Sequence, residues 1–325
     1  LSMNESKKHS YINLSQFLEF VEIKTKLASF FPMLVGFLWS AYHYRHFNWI
    51  NSLVFFIAAS FFDMATTAIN NTMDYLKAVD QEYKYKENVI GRHHLDINFI
   101  IFLLLAILSI AFVFSIHLVR LTDPILLLIG SIFYIIGITY TFGPLPTSRL
   151  PLGEILSGLT MGLGIFFLAI FVNNYSIILS TTWSSHFIQI NVYWQECLRI
   201  VWLALPFVCL IANIMLANNI CDLATDRLNQ RFTLVHYIGK KWALVLYSVL
   251  SGLPWLFLMI YALSGLLPTW SLIFLIFVWP HYRSLQRFRQ QQIKDQTFVG
   301  SIKSFVLFSL VYSLSVGLAL ILTFL

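Results

Sequence analysis

Two stretches, AINNTMDYLKAVDQ at residues 68–81 and LANNICDLATDRLNQ at residues 216–230, decide how this chain folds. Each closes a hydrophobic run and sets amides and carboxylates at its end: Asn70, Asp74 and Asp80 in the first, Asn218, Asp222 and Asp226 in the second. The chain has only 15 acidic residues, and four of them stand in these clusters. Charge at a bilayer boundary is costly to desolvate unless a cation is held there. A divalent metal answers that need twice over.

The rest of the composition sets the surroundings. With 58% apolar residues, 17% aromatics and 11% charged residues in 325, the chain has too much apolar surface for a soluble globule. It reads as all-α and polytopic. Apolar runs of spanning or near-spanning length fall at residues 27–44, 49–69, 97–118, 124–140, 152–172, 198–217, 242–263, 266–279 and 305–325, which predicts nine transmembrane helices in a single bundle. If the runs alternate across the bilayer, 18 of the 21 Lys and Arg residues fall on one side, leaving Arg45, Arg120 and Arg199 on the other. The positive-inside bias then places the N-terminus and both acidic clusters in the cytoplasm and the C-terminus outside.

A single domain over 1–325 is expected, with a cytoplasmic N-terminal segment at 1–26 and cytoplasmic active-site loops at 72–96 and 219–241. No cleavable leader is expected ahead of the first span. Cys197, Cys209 and Cys221 lack ligand spacing and read as packing residues. The basic pI restates the topology bias and does not imply nucleic acid; membrane lipids, with anionic headgroups near Arg283 to Lys294, are the expected partner of that charge.

The clusters are 148 residues apart, and each follows an even-numbered run. That is a parallel pseudo-repeat, which brings two acid-bearing helix ends to one face; an inverted repeat would separate them. Asn218, Asp222 and Asp226 recur every four residues and form one stripe on a continuing helix. Asn70 and Asp74 share that spacing, whereas Asp80 converges only if the helix unwinds. Oxygen ligands without nearby His or Cys suit Mg2+, which keeps several waters and is usually completed by substrate phosphates. The plainer alternative is a pair of solvated helix ends.

Asp63, two turns before Asn70, is an acid inside a span. Such residues face polar cavities, so Asp63 is a candidate to bind an acceptor substrate, with a lysine pair or a structural hydrogen bond as the alternatives. Seven basic residues lie near the clusters: Lys77, Arg92, Arg149, Arg227, Arg231, Lys240 and Lys241. Lys77, Arg92 and Arg149 are favoured as diphosphate ligands, although most such charges set topology. The turn YTFGPLPTSRLPLGE, residues 140–154, is broken by Gly and Pro. It can aim Tyr140 into a central cavity or leave it in the interfacial aromatic belt.

These residues resemble the UbiA-type superfamily of intramembrane prenyltransferases, over nearly the whole chain. In detail VEIKTKLASFFP, NNTMDY, the VIGR of Val89 to Arg92, YTFGPLP with LPLGE, and NNICDLATDRLNQRFTL followed by YIGKK resemble the branch that prenylates 1,4-dihydroxy-2-naphthoate toward menaquinone. One departure is that Met73 and Lys77 stand where that branch commonly has acids or amides. The resemblance implies Mg2+ at both motifs, with Asn70, Asp74, Asp80, Asn218, Asp222 and Asp226 as ligands and Asp74, Asp222 and Tyr140 as catalytic residues. A polyprenyl diphosphate would be the donor. Tyr140 and Tyr75 would steady an allylic cation by cation–π attraction worth roughly 0.5 to 2 kcal/mol each, and attack by the ring with loss of CO2 would give a demethylmenaquinol. The alternatives are another acceptor, such as 4-hydroxybenzoate, a haem or a glycerol phosphate, or a cation-coupled carrier. A CDP-alcohol phosphotransferase is disfavoured because its single compact motif is missing.

Overall fold

Helical segments follow the apolar runs along the chain. The structure, a computed structural model, describes residues 12–78, 81–143, 146–228 and 231–323. A short helix α1, Leu14–Phe20, begins with a capping box in which Asn13 and Gln16 each bond the other's backbone N–H. A 3-10 turn, Ile23–Lys26, leads into α2, Leu27–His43, and then α3, Trp49–Lys77. A π turn, Tyr83–Glu87, and the single turn α4, Val89–Arg92, precede α5, Ile97–Leu121, and α6, Ile125–Thr141. Helix α7, Gly153–Ser157, passes through a π segment, Gly158–Gly164, into α8, Ile165–Ile178. Strands β1, Leu179–Trp183, and β2, Ile188–Val192, come next. They are followed by α9, Trp194–Cys221, α10, Leu223–Leu228, and α11, Leu234–Leu263. A 3-10 stretch, Thr269–Phe277, leads into α12, Val278–Gln290, and a π turn, Lys294–Phe298, into α13, Val299–Leu322.

Among the described residues, six helices are long and apolar enough to cross a bilayer: Trp49–Lys77, Ile97–Leu121, Gly153–Ile178, Trp194–Cys221, Leu234–Leu263 and Lys294–Leu322. The other three apolar runs fall on shorter pieces. Helices α2 and α6 have 17 residues each, and the run at 266–279 is mostly 3-10 before it becomes the Arg-bearing α12. The hairpin departs from the all-α expectation. Its second strand alternates Ile188, Gln189, Ile190, Asn191 and Val192, the period-two pattern of a strand. It pairs antiparallel from Leu179↔Val192 to Trp183↔Ile188. Asp123 pins it, accepting from the Thr181 backbone N–H and the Thr181 hydroxyl at 2.8 Å each.

One large core joins α2, α8, α9, α11 and α13 around Trp39, Phe166, Phe171, Phe207, Phe308 and Tyr312. Two smaller clusters sit under the acidic motifs. Phe20, Ala65, Ala68, Ile90 and Ile100 underlie the first, and Leu216, Ala217, Ile220, Val235, Tyr247 and Phe288 underlie the second. In lipid the apolar effect does not favour helix contact over tail contact, so close packing and polar bonds hold the bundle. Gly158 and Gly162 show how. A Cβ on Gly162 would stand 2.7 Å from Val208 N, and one on Gly158 would stand 2.8 Å from Val208 O, so the π segment touches the α9 backbone directly. This contact fixes α9, whose far end carries the second motif.

Candidate active site

Asn70 and Asp74 lie on one stripe of the last turns of α3, with Asn70 Nδ2 3.5 Å from Asp74 Oδ2. Helix α9 ends at Cys221, after Asn218 but before Asp222 and Asp226, so one helix does not carry the whole expected stripe. The stripe survives nonetheless. Asp222 N donates to Asn218 O at 3.0 Å and Asp226 N to Asp222 O at 2.8 Å, so i→i−4 bonds carry the spacing across the break into α10. Asp80 lies outside the described residues.

Arg231 joins the two ends. Its Nη2 stands 3.4 Å from Asp74 Oδ1, and its backbone N–H donates to Asp226 O at 2.8 Å. One residue thus touches both motifs, its guanidinium at the Asp74 carboxylate and its backbone at the Asp226 carbonyl, although 157 residues separate Arg231 from Asp74. The next residue, Phe232, donates its N–H to Arg149 O at 3.1 Å and ties in the loop after α6. Arg149 and Lys77 also act electrostatically on Asp74. Asp222 forms an ion pair with Lys294 at the start of the last apolar helix. Asp226 is buried, and that burial pushes its carboxyl up to about 6; Arg231 and Lys294 oppose the shift, while Asp222 and Glu154 add to it. Burial likewise raises the Tyr83 phenol, helped by the Asp74 charge and opposed by Arg231.

The loop after α3 is built around missing side-chain volume. Gly91 has no room for a Cβ because the Lys84 carbonyl lies against it. Asn88 Nδ2 donates to Asn71 O at 3.0 Å and Asn71 Nδ2 to Phe20 O at 2.8 Å, which anchors the loop to α3 and α1. The Tyr75 ring lies under Lys84 Nζ at 4.7 Å, so a cation already occupies it. Arg92 is drawn into an ion pair with Glu19 of α1, which His93 joins at 3.2 Å. Of the three favoured diphosphate ligands, Lys77 and Arg149 are thus at the acids and Arg92 is engaged elsewhere.

Asp63 is paired with a lysine. Lys26 Nζ donates to Asp63 Oδ1 at 2.8 Å, to Asp63 O at 3.1 Å and to Thr67 Oγ1 at 2.5 Å, and the Ser29 hydroxyl donates to Asp63 Oδ2 at 2.6 Å. Both carboxylate oxygens are taken, so Asp63 has the lysine pairing that stood as an alternative to an acceptor-binding role. Tyr140 points inward from the end of α6, its hydroxyl donating to Met215 Sδ of α9 at 3.7 Å. Beside it, buried Glu154 accepts from Asn219 Nδ2 at 2.8 Å.

Sequence reasoning passed over Glu154 and Asn219, placed Lys294 with lipids and gave Arg231 no preference. Glu154 carried a signal, being an acid inside the apolar run 152–172, and Asn219 stands in the second motif beside Asn218; the cations carried none beyond lying on the same side. Among the described residues, no three His, Cys, Asp or Glu side chains converge as a closed cage. Oxygen donors on two helix ends, each now countered by a basic side chain, instead fit a hydrated Mg2+ whose shell a phosphate completes.

Residues 29–323 match the UbiA prenyltransferase family. The chain belongs to that family. It is a membrane-embedded prenyltransferase. It is 26% identical over 281 residues to the 1,4-dihydroxy-2-naphthoate octaprenyltransferase of Bacillus subtilis (strain 168), covering 85% of this chain and 83% of the relative. A UbiA homologue from Aeropyrum pernix K1 has the same fold, with a TM-score of 0.65 at 19% identity over 93% of this chain and 99% of the other. A UbiA homologue from Archaeoglobus fulgidus, solved bound to GPP and Mg2+, aligns with a TM-score of 0.64 at 12% identity, again over 93% and 99%.

Proposed function

We propose that this UbiA-family enzyme transfers a polyprenyl group from its diphosphate to an aromatic ring in a Mg2+-dependent reaction. The acceptor is 1,4-dihydroxy-2-naphthoate, and loss of CO2 gives a demethylmenaquinol. The observation that carries this reading is Arg231 bridging the two acidic helix ends, which brings the two motifs to one place. The name of the Bacillus subtilis relative supports the naphthoate acceptor, and the Archaeoglobus fulgidus complexes with GPP and with DMAPP support the diphosphate donor and the metal.

Asn70, Asp74, Asn218, Asp222 and Asp226 would hold the metal, with Asp80 as a further candidate. Bound there, Mg2+ supplies charge that makes the diphosphate a better leaving group. The chain's own part is electrostatic. Arg231 and Lys294 neutralise Asp74 and Asp222, and with Arg149 and Lys77 near Asp74 they are the cations that would meet the diphosphate oxygens. Tyr140 offers a ring face to the developing allylic cation. The exposed apolar belt keeps donor tail and product in lipid.

We read the nine apolar runs as nine crossings of one domain spanning 1–325, with the acidic side in the cytoplasm of a bacterial cell and the C-terminus outside. The lopsided placement of 18 of 21 Lys and Arg residues supports this. Arg283, Arg287 and Arg289 on α12 would then meet anionic headgroups.

The test is turnover by purified protein in lipid, given dihydroxynaphthoate and a long prenyl diphosphate with and without Mg2+, followed by product mass and CO2. Mg2+-dependent prenylation with CO2 release is the expected result, abolished in Asp74→Ala and Asp222→Ala. Turnover of 4-hydroxybenzoate alone would keep the chemistry and replace the acceptor. Solute flux without any prenyl transfer would replace the enzyme with a carrier.

A further inference from the structure

Among the described residues, Glu154 is the one carboxylate with a fully enclosed oxygen that has no hydrogen-bond partner. The side chain is 3% exposed. Oε1 accepts from Asn219 Nδ2 at 2.8 Å, and Oε2 accepts from nothing. An enclosed carboxylate oxygen left unbonded is costly, so a donor is expected to reach it at some stage of the working cycle.

Tyr140 is the neighbour placed to supply that donor. Its hydroxyl lies 3.5 Å from the point where a Cβ on Gly153 would stand, beside the residue that precedes Glu154. It donates to the Met215 thioether at 3.7 Å, a weak acceptor. The Glu154 charge acts on both Tyr140 and Asp226, so the pair borders the second acidic motif. Tyr140 is only half-buried, and its ring can meet a ligand while Glu154 stays sealed behind it. A good donor on a poor acceptor thus stands next to a strong acceptor without a donor.

Resting on the aromatic prenyl-transfer reading above, we propose that Tyr140 and Glu154 form a proton relay for the acceptor ring. The ring hydroxyl gives its proton to Tyr140 Oη as the Tyr140 proton passes to Glu154 Oε2. Ring electrons close the bond from the carboxylate-bearing carbon to prenyl C1, and the C1–O bond breaks with its electron pair leaving on the diphosphate. The ring now holds a ketone and a quaternary carbon that still carries the carboxylate. The carbon–carboxylate bond then breaks, CO2 leaves, and the electron pair regenerates the ring oxyanion. That oxyanion takes a proton back from Tyr140 while Glu154 resupplies Tyr140. One proton goes out and one returns, so Glu154 ends as it began and no water has to enter. A tyrosine suits the exchange because its one hydroxyl oxygen can both take a proton and give one.

The test compares wild type, Glu154→Gln and Tyr140→Phe in lipid nanodiscs with Mg2+, a prenyl diphosphate and dihydroxynaphthoate. Turnover is followed across alkaline pH and again with a ring-halogenated acceptor whose hydroxyl is more acidic. Gln keeps the bond from Asn219 but cannot take a proton. Both variants should lose at least about 100-fold in kcat, with KM for the prenyl diphosphate unchanged within about twofold. The loss should shrink as pH rises and with the acidified acceptor, because an acceptor that ionises by itself needs no relay. Wild-type turnover in either variant overturns the relay, and so does a loss of equal size at every pH and with both acceptors, which is what a structural brace would give. Tyr140→Phe removes only a hydroxyl held by sulfur, and it decides the matter if Glu154→Gln does not fold. Wild type that transfers to no hydroxyaromatic overturns the functional reading itself; wild type that transfers normally alongside a fully active Glu154→Gln overturns the relay alone.

Discussion

Asp226 is the proposed metal ligand whose acidity the fold changes most. It is buried, and its carboxyl is pushed up to about 6. A metal binds the ionised form, so affinity for Mg2+ should weaken as pH falls through about 6, and a proton should be released on binding at and below that value but not well above it. Titration calorimetry of Mg2+ with a non-reacting prenyl thiodiphosphate, from about pH 8 down to about pH 5, checks both. Asp226→Asn should bind more weakly throughout and lose the pH dependence. The metal-free protein should behave in the opposite sense. A carboxyl raised above its unfolded value makes the folded state take up protons first, so acidification through about 6 should stabilise the fold, an advantage complete only below the unfolded value of about 3.9. The acids of this site were legible because polar residues at the ends of apolar runs stand out. Their partners were not, since Arg231 and Lys294 reach Asp74 and Asp222 across 157 and 72 residues. Such pairings are set by packing, which no local pattern records. Asp63 lies between these cases: an acid inside a span demands a partner, but only the docking of the 3-10 turn shows that the partner is Lys26.

At the scale of elements, the π segment against α9 is the joint that aims the second motif. Gly162→Ala would put a Cβ 2.7 Å from the Val208 backbone nitrogen and force the two apart. We expect a cost of about 1 to 3 kcal/mol, read as a lower midpoint in thermal unfolding in detergent, with reduced turnover. Gly130→Ala on α6 meets nothing within 4 Å and should leave both unchanged or slightly improved. Hydropathy located the long helices because spanning a bilayer is a local property of some twenty residues. It did not find the hairpin, although the alternation at 188–192 was there to be read, because the segment is short and lies between two strongly apolar helices. It also ran the second acidic stripe along one helix, whereas the chain breaks at Asp222 and resumes as α10.

For the molecule as a whole, the Lys26–Asp63 pair is what fastens the N-terminal segment to the bundle. Lys26→Met alone would leave Asp63 charged in a largely enclosed place, and we expect a loss of about 3 to 5 kcal/mol in unfolding free energy. Changing both residues, Lys26→Met with Asp63→Leu, should recover most of it, since no charge is then stranded. A double-mutant cycle in unfolding midpoints measures the difference, and equal losses in single and double variants would show that the pair does not act as a unit. The other long-range pair, Lys294 with Asp222, has a bearing on biogenesis. As the chain leaves the ribosome, the second motif is made well before the lysine that pairs with it, which is delivered only about nine-tenths of the way along the 325 residues. Until the last helix is in place Asp222 lacks that counter-charge, so a chain cut short before residue 294 should carry a second motif without its lysine.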